Sequence, residues 1–228
     1  MKRINFLSMF LLVAMMAFAQ ADVTTFLGIP VDGTKSAMRQ KLIGKGFVPK
    51  TVGGSEFFEG EFNGMDVNIY IVTNNNKVYR LMICDALPRS EADIKIRFNT
   101  LVAQFQNNKR YATVQDYTIS ESEMISYEMT VHKKNYEAVF YQIPDPEKID
   151  TLAVQTQIRN ELLQKYTPEQ LENPTEELIQ ELQNVSTRIA MELILMRPVW
   201  FRIRENYGEY YISMFYDNEY NHANGEDL

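Results

Sequence analysis

Cysteine is almost missing from this chain: Cys84 is the only one. A lone thiol excludes an internal disulfide. It sits in the run VYRLMICDA, where a small buried strand residue is the plain reading. Asp85 beside it has the wrong sign to lower a thiol pKa. Histidine is nearly as scarce, with only His132 and His222. Zinc sites need three or four His, Cys or carboxylate ligands, and the spacing groups no such set. The sequence suggests no Ser-His-Asp or Cys-His order. Gly53-Gly54 lacks the Lys-Ser/Thr ending of a phosphate loop. No cofactor is implied.

Basic residues are also in deficit, 23 Lys and Arg against 30 Asp and Glu. Nucleic-acid binders show the opposite balance, because phosphate contacts require cations. Lys109-Arg110 and Lys133-Lys134 are the basic clusters, and both read as exposed loop ends. A nucleic-acid partner is therefore not expected, nor an anionic membrane surface.

Long hydrophobic runs are confined to the start. MKRINFLSMFLLVAMMAFAQADV joins Lys2 and Arg3 to an apolar stretch, Ile4 to Phe18, that is too short for a stable span. Ala17-Phe18-Ala19 is the small-x-small pattern of a signal-peptidase site. Residues 1–19 are read as a secretory signal, with the mature chain starting at Gln20. Retention as an anchor is the alternative. The expected location is the periplasm or the extracellular space. Losing Lys2 and Arg3 takes the net charge from −7 to −9.

What remains carries two periodicities. Thr34 to Lys45 reads as a helix, capped by Thr34, with Met38 and Leu42 on one face and Gly46 as its stop. Phe58 and Phe62 flank Gly60, Asn63-Gly64 is a hairpin turn, and Met65, Val67, Ile69 and Ile71 alternate. After Asn74-Asn75-Asn76, Tyr79, Leu81 and Ile83 continue a three-stranded meander. Ser90 caps a second helix with the stripe Ile94, Phe98, Leu101 and Phe105. Ile125, Tyr127, Met129 and Val131 alternate as a strand that returns through Tyr136, Ala138 and Phe140.

From Asp150 the period changes from two to 3.6. Thr167-Pro168 and Asn173-Pro174 mark helix starts. Leu178, Leu182, Val185, Ile189, Leu193 and Met196 form a narrow seam over about 22 residues. Glu181, Arg188 and Glu192 exclude a membrane span there. The seam can cover a sheet, close on a partner helix or dimerise.

The run WFRIRENYGEYYISMFYDNEY, Trp200 to Tyr220, holds eight aromatics in 21 residues. Val199, Phe201 and Ile203 alternate with Trp200, Arg202 and Arg204. Tyr210, Ile212, Met214 and Tyr216 alternate with Tyr211, Ser213, Phe215 and Asp217. One set faces a core. The other, Trp200, Arg202, Arg204, Tyr211 and Phe215, has the Trp, Tyr and Arg mixture of binding hot spots. It is either covered by neighbouring elements or a binding face. Asp217, Glu219 and Asn221 occupy positions one, three and five of a calcium-loop template. The template then fails at His222 and Leu228, so no metal is assigned and a solvated tail is expected. Asp217 and Glu219 are also a carboxylate pair for hydrolysis, with nothing nearby that marks a pocket.

TTFLGIPVDGTKSAMRQKLIGKGF, GEFNGMDVNIYI and YYISMFYDNEYNHANGEDL together resemble uncharacterised secreted proteins of Gram-negative gut anaerobes. The helix-then-meander order is similar to the β-lactamase-inhibitor protein fold and to small outer-membrane assembly lipoproteins, though the lipidated Cys is absent. The resemblance implies a fold and transfers no catalytic residue.

The expectation is an α+β chain of two tandem helix-plus-antiparallel-sheet units. Residues 20–89 form the first (αβββ) and 90–228 the second (αββ–ββ), with a helical hairpin inserted at 150–197. The expected role is a non-catalytic binding module for an unknown protein partner. A self-associating envelope protein and a hydrolase are the alternatives.

Overall fold

Local rules build most of the elements. A computed structural model describes residues 22–223. The signal segment 1–19, the start at Gln20 and the last template position, Leu228, lie outside the described residues. Helix α1, Lys35–Gly44, begins where Thr34 Oγ1 accepts the Ala37 N–H at 3.2 Å. Helix α2, Glu91–Asn107, begins where Ser90 does the same for Asp93. A side-chain oxygen at this position satisfies an amide that the helix itself cannot.

Between them run β3 (Val48–Val52), β4 (Ser55–Phe62), β5 (Met65–Asn74) and β6 (Lys77–Asp85). The expected three-stranded meander thus has four strands. The extra one, β3, turns into β4 at Gly53-Gly54, both with positive φ. Its sequence, VPKTV, is an exposed edge strand, which an inward-pointing alternation does not reveal. Before α1, β1 (Thr25–Phe26) and β2 (Ile29–Pro30) make a small separate hairpin.

After α2 come β7 (Tyr111–Ala112), α3 (Ile125–Val131) and β8 (Glu137–Gln142). Here the sequence reading is overturned, because Ile125–Val131 is a helix and not a strand. Seven residues fit either period. In the helix Ile125 is buried and Met129 packs on the core, while Tyr127 and Val131 are 49% and 53% exposed. Met124 offers no side-chain cap. The turn is held from α2 instead: Glu91 Oε1 accepts the Ser126 N–H, and Lys95 Nζ donates to the Glu121 and Glu123 carbonyls. Tertiary contacts decide where local pattern is ambiguous.

Strands β9 (Pro198–Asn206) and β10 (Glu209–Asp217) complete one eight-stranded antiparallel sheet in the order β3-β4-β5-β6-β10-β9-β8-β7. The join of early and late chain is β6 against β10, with Arg80 opposite Asp217 and Cys84 opposite Ser213. Helices α1 and α2 pack on one sheet face, where Met38, Leu42, Ile94, Phe98, Leu101 and Phe105 meet Ile69, Leu81, Phe201 and Met214. Each such side chain fully buried contributes about 1.5–3 kcal/mol. Phe47 crosses Gly60 so closely that a Cβ there would lie 2.4 Å from its ring.

The described residues divide into two compact units, 23–143 with 191–223, and 144–190 with residue 22. The second unit holds α4 (Thr151–Leu162), α5 (Pro168–Glu172) and the first three-quarters of α6 (Glu176–Leu195). Asp150 caps α4, and Thr167 with Gln170 forms a capping box on α5. Asn173 ends α5 and does not start α6; Thr175 Oγ1 accepts the Leu178 N–H at 3.3 Å. Glu161 pairs with Arg188 and Lys165 with Glu181, so α4 and α6 run antiparallel. Of the predicted seam, Leu178, Val185 and Ile189 are buried and Leu182 is not. The block leaves the sheet after Gln142 and returns at Arg197, where the Gln142 N–H donates to the Arg197 carbonyl at 2.9 Å.

Candidate functional site

The register of β9 on β10 places Phe215 opposite Trp200, Ser213 opposite Arg202 and Tyr211 opposite Arg204. Side chains opposite one another share a face. All five residues singled out from the sequence therefore lie on the sheet face away from α1 and α2. Strand β6 adds Arg80, Met82 and Cys84 to that face.

The geometry at the β6–β10–β9 junction is tightly determined. Trp200 and Phe215 stack with centroids 3.9 Å apart and planes 19° from parallel. Arg80 lies 5.3 Å and 5.0 Å from the two ring centroids. Its Nε donates to Asp217 Oδ1 at 2.6 Å and its Nη2 to Oδ2 at 2.7 Å. Trp200 Nε1 donates to the same Oδ2 at 2.8 Å. The Asp217 bond raises the Arg80 pKa above its ordinary value, against the opposing effect of burial. A bidentate carboxylate fixes the guanidinium in the plane that stacks on aromatics.

The five residues are not equally accessible. Trp200, Arg202, Arg204 and Tyr211 are half-buried, but Phe215 is only 3% exposed. It belongs to the support of the patch and not to its surface. Cys84 contacts Ser213 at 3.4 Å, and burial pushes its thiol pKa up.

Two other expectations need correction. Residues 217–221, at the start of the expected solvated tail, are instead tied to the fold. Asp217 is 2% exposed, the Asn218 amide donates to the Val31 carbonyl, and that of Asn221 donates to Asp32 and to the Val78 carbonyl. The Glu219 carboxyl is raised, first by burial and then by Asp217. His132 is not on a strand; it ends α3, with Nδ1 2.7 Å from Glu128 Oε2. Among the described residues no group of three or more His, Cys, Asp or Glu is placed to hold a metal ion. None of their helices is long and apolar enough to cross a membrane.

Sequence reasoning missed Arg80, and it weighed Asp217 as a ligand or acid rather than as an anchor. The alternation of Arg80, Met82 and Cys84 with Tyr79, Leu81 and Ile83 was a usable signal for the face. The pairing of β6 with a strand more than a hundred residues later was not. Comparison with models of protein families, with curated proteins and with solved structures returned no match.

Proposed function

We propose that this is an exported, non-catalytic module that binds a protein partner through the sheet face centred on Trp200. One observation carries the reading: Trp200, Arg202, Arg204 and Tyr211 converge on one face beside an Arg80 already locked by Asp217. Trp, Tyr and Arg dominate binding hot spots. A patch ordered before binding loses less entropy on association. Both Asp217 oxygens are engaged by Arg80 and Trp200, which favours an anchoring role over acid–base work.

The same reading keeps residues 1–19 as an export signal, and with it the periplasm or extracellular space. It also keeps the resemblance to secreted proteins of gut anaerobes. It treats the sheet as two helix-led halves, 20–89 and 90–228, with 150–197 inserted in the second. N-terminal sequencing of the exported chain should begin at Gln20. For the face, the test is capture of a partner by the full chain and by a Trp200→Ala/Tyr211→Ala variant that still unfolds in one cooperative thermal transition. A discrete partner lost only by the variant supports the reading. Equal capture rejects it.

A groove in the helical unit favours a second reading, self-association. It has a volume of about 310 Å3 and is lined by Ile158, Leu162, Leu171, Leu178 and Leu182. Leu182 and Ile179 are 41% and 43% exposed beside it. Leu182→Glu should convert a dimer to a monomer in light scattering. A monomeric parent at high concentration removes this reading.

A further inference from the structure

A cavity of about 600 Å3 opens on the helix-covered side of the sheet, between the β1–β2 hairpin, the C-terminal half of α2 and β10. Ligand pockets commonly occupy about 300–1,000 Å3. Phe62, Leu101, Phe105 and Met214 give it apolar walls, and Tyr111, Tyr216 and Arg110 reach it from the polar side.

The polar side carries hydrogen-bond donors. Gln142 is 2% exposed, and its amide is fully engaged. Its Oε1 accepts from the Thr25 N–H at 2.8 Å, while its Nε2 donates to the Thr25 carbonyl at 2.7 Å and to Tyr111 Oη at 3.1 Å. Tyr111 Oη is thus an acceptor, and its hydroxyl interacts with that of buried Tyr216. Either phenol can donate to the other, but not both. At least one of the two phenolic hydrogens has no acceptor among the described residues. A phenolic hydrogen at a cavity wall is available to an acceptor on a ligand.

The charge at this end is positive. Arg110 acts on Tyr216 electrostatically from the rim. Glu61 stands elsewhere on the rim, exposed. Leu27, at the tip of the β1–β2 hairpin, also lines the opening and holds φ at +50°. That backbone is set by the two-residue hairpin turn it shares with Gly28, at φ +79°.

We propose that this cavity binds a small organic carboxylate, its apolar body against Leu101, Phe105 and Met214 and its oxygens on the Tyr111–Tyr216 pair and Arg110. The spare phenolic donor, the cation beside it and the apolar walls behind it together select this class. A neutral chain of the same length meets the walls and forgoes the charge. An amine meets two donors and a guanidinium.

Calorimetric titration of the full chain with octanoate, 1-octanol and octylamine tests this. Octanoate should bind at least about tenfold more tightly than octanol, the scale of a hydrogen bond to a charged group, and octylamine should bind least. Arg110→Gln lies on an exposed residue; it should weaken octanoate by about fivefold and flatten its salt dependence. Tyr111→Phe, which keeps the ring that packs on Phe105, should weaken it as well. Glu61→Gln should tighten it. Trp200→Ala should leave it unchanged, which separates this site from the sheet face. Equal affinity for octanoate and octanol, indifference to Arg110→Gln, or no octanoate heat at about 10 mM, the weak end of ligand affinity, would overturn the proposal.

Discussion

The β4–β5 and β9–β10 hairpins can be written one above the other, FFEGEFNGMDVNIYIV over WFRIRENYGEYYISMF. Their core sides agree: Phe58 and Phe201 are both buried, opposite Ile69 and Met214. They part on the other face and at the tip. Strand β4 turns Phe57, Glu59 and Glu61 away from the core, whereas β9 turns Trp200, Arg202 and Arg204. The turns share a backbone, Asn63-Gly64 at φ +54° and +72° and Tyr207-Gly208 at +53° and +82°. Asparagine takes that conformation readily; tyrosine does so at a cost. Tyr207 is nevertheless 99% exposed. Shared folding requirements fix the inner residues, so the sites where the two hairpins diverge are the ones free to specialise.

The largest test of that contrast removes the outer-face anchor of the second hairpin. Asp217→Ala should destabilise by about 3–5 kcal/mol in urea unfolding, because it strands Arg80. Glu59→Ala on the first hairpin removes only an exposed pair with Lys50 at 3.5 Å, and should cost under about 1 kcal/mol. Equal losses would erase the distinction.

Next comes the core side of the first hairpin. Gly60→Ala forces Phe47 to move, and overpacking of this kind should cost about 1–3 kcal/mol by the same measurement. A neutral result would mean that the ring yields freely.

At the tips the sign reverses. Tyr207→Asn should stabilise by about 0.5–1 kcal/mol, since asparagine tolerates left-handed φ. If the exposed ring serves recognition, the gain in melting temperature comes with weaker partner capture.

The smallest effect is a titration. The Glu219 carboxyl is raised in the folded chain, so the fold holds its proton more tightly than the unfolded chain does. Its ionisation therefore removes stability as pH rises through the window above the ordinary value of 4.5. Glu219→Gln should be slightly more stable than the parent at pH 7. That gain should vanish as pH falls to 4.5 and below. Solvent screens this half-exposed group, so thermal melts across pH must be compared in parallel.

These contrasts also separate what the sequence discloses from what it hides. The caps at Thr34, Ser90 and Thr167 and the Asn63-Gly64 turn are local, and each was legible within four residues. The grouping of Trp200, Arg202, Arg204, Tyr211 and Phe215 follows from alternation alone. Ile125–Val131 was misread because a seven-residue stretch satisfies both periods and its helix is braced by distant Glu91 and Lys95. Arg80 and Asp217 meet only when β6 pairs with β10, and the cavity requires Thr25, Phe105 and Gln142 to assemble first. Non-local pairing has no signature in a single chain of letters.

The hydrogen bond from Gln142 to the Arg197 carbonyl has one more consequence. Those residues stand 55 positions apart in sequence, yet the exit and the re-entry of the chain are stitched together at one spot. The ends of any segment placed there are already within reach, so closing a longer or shorter one adds little entropy. Gln142 and Arg197 thus hold the neighbouring strand ends together by their own pairing, whatever the length of chain between them.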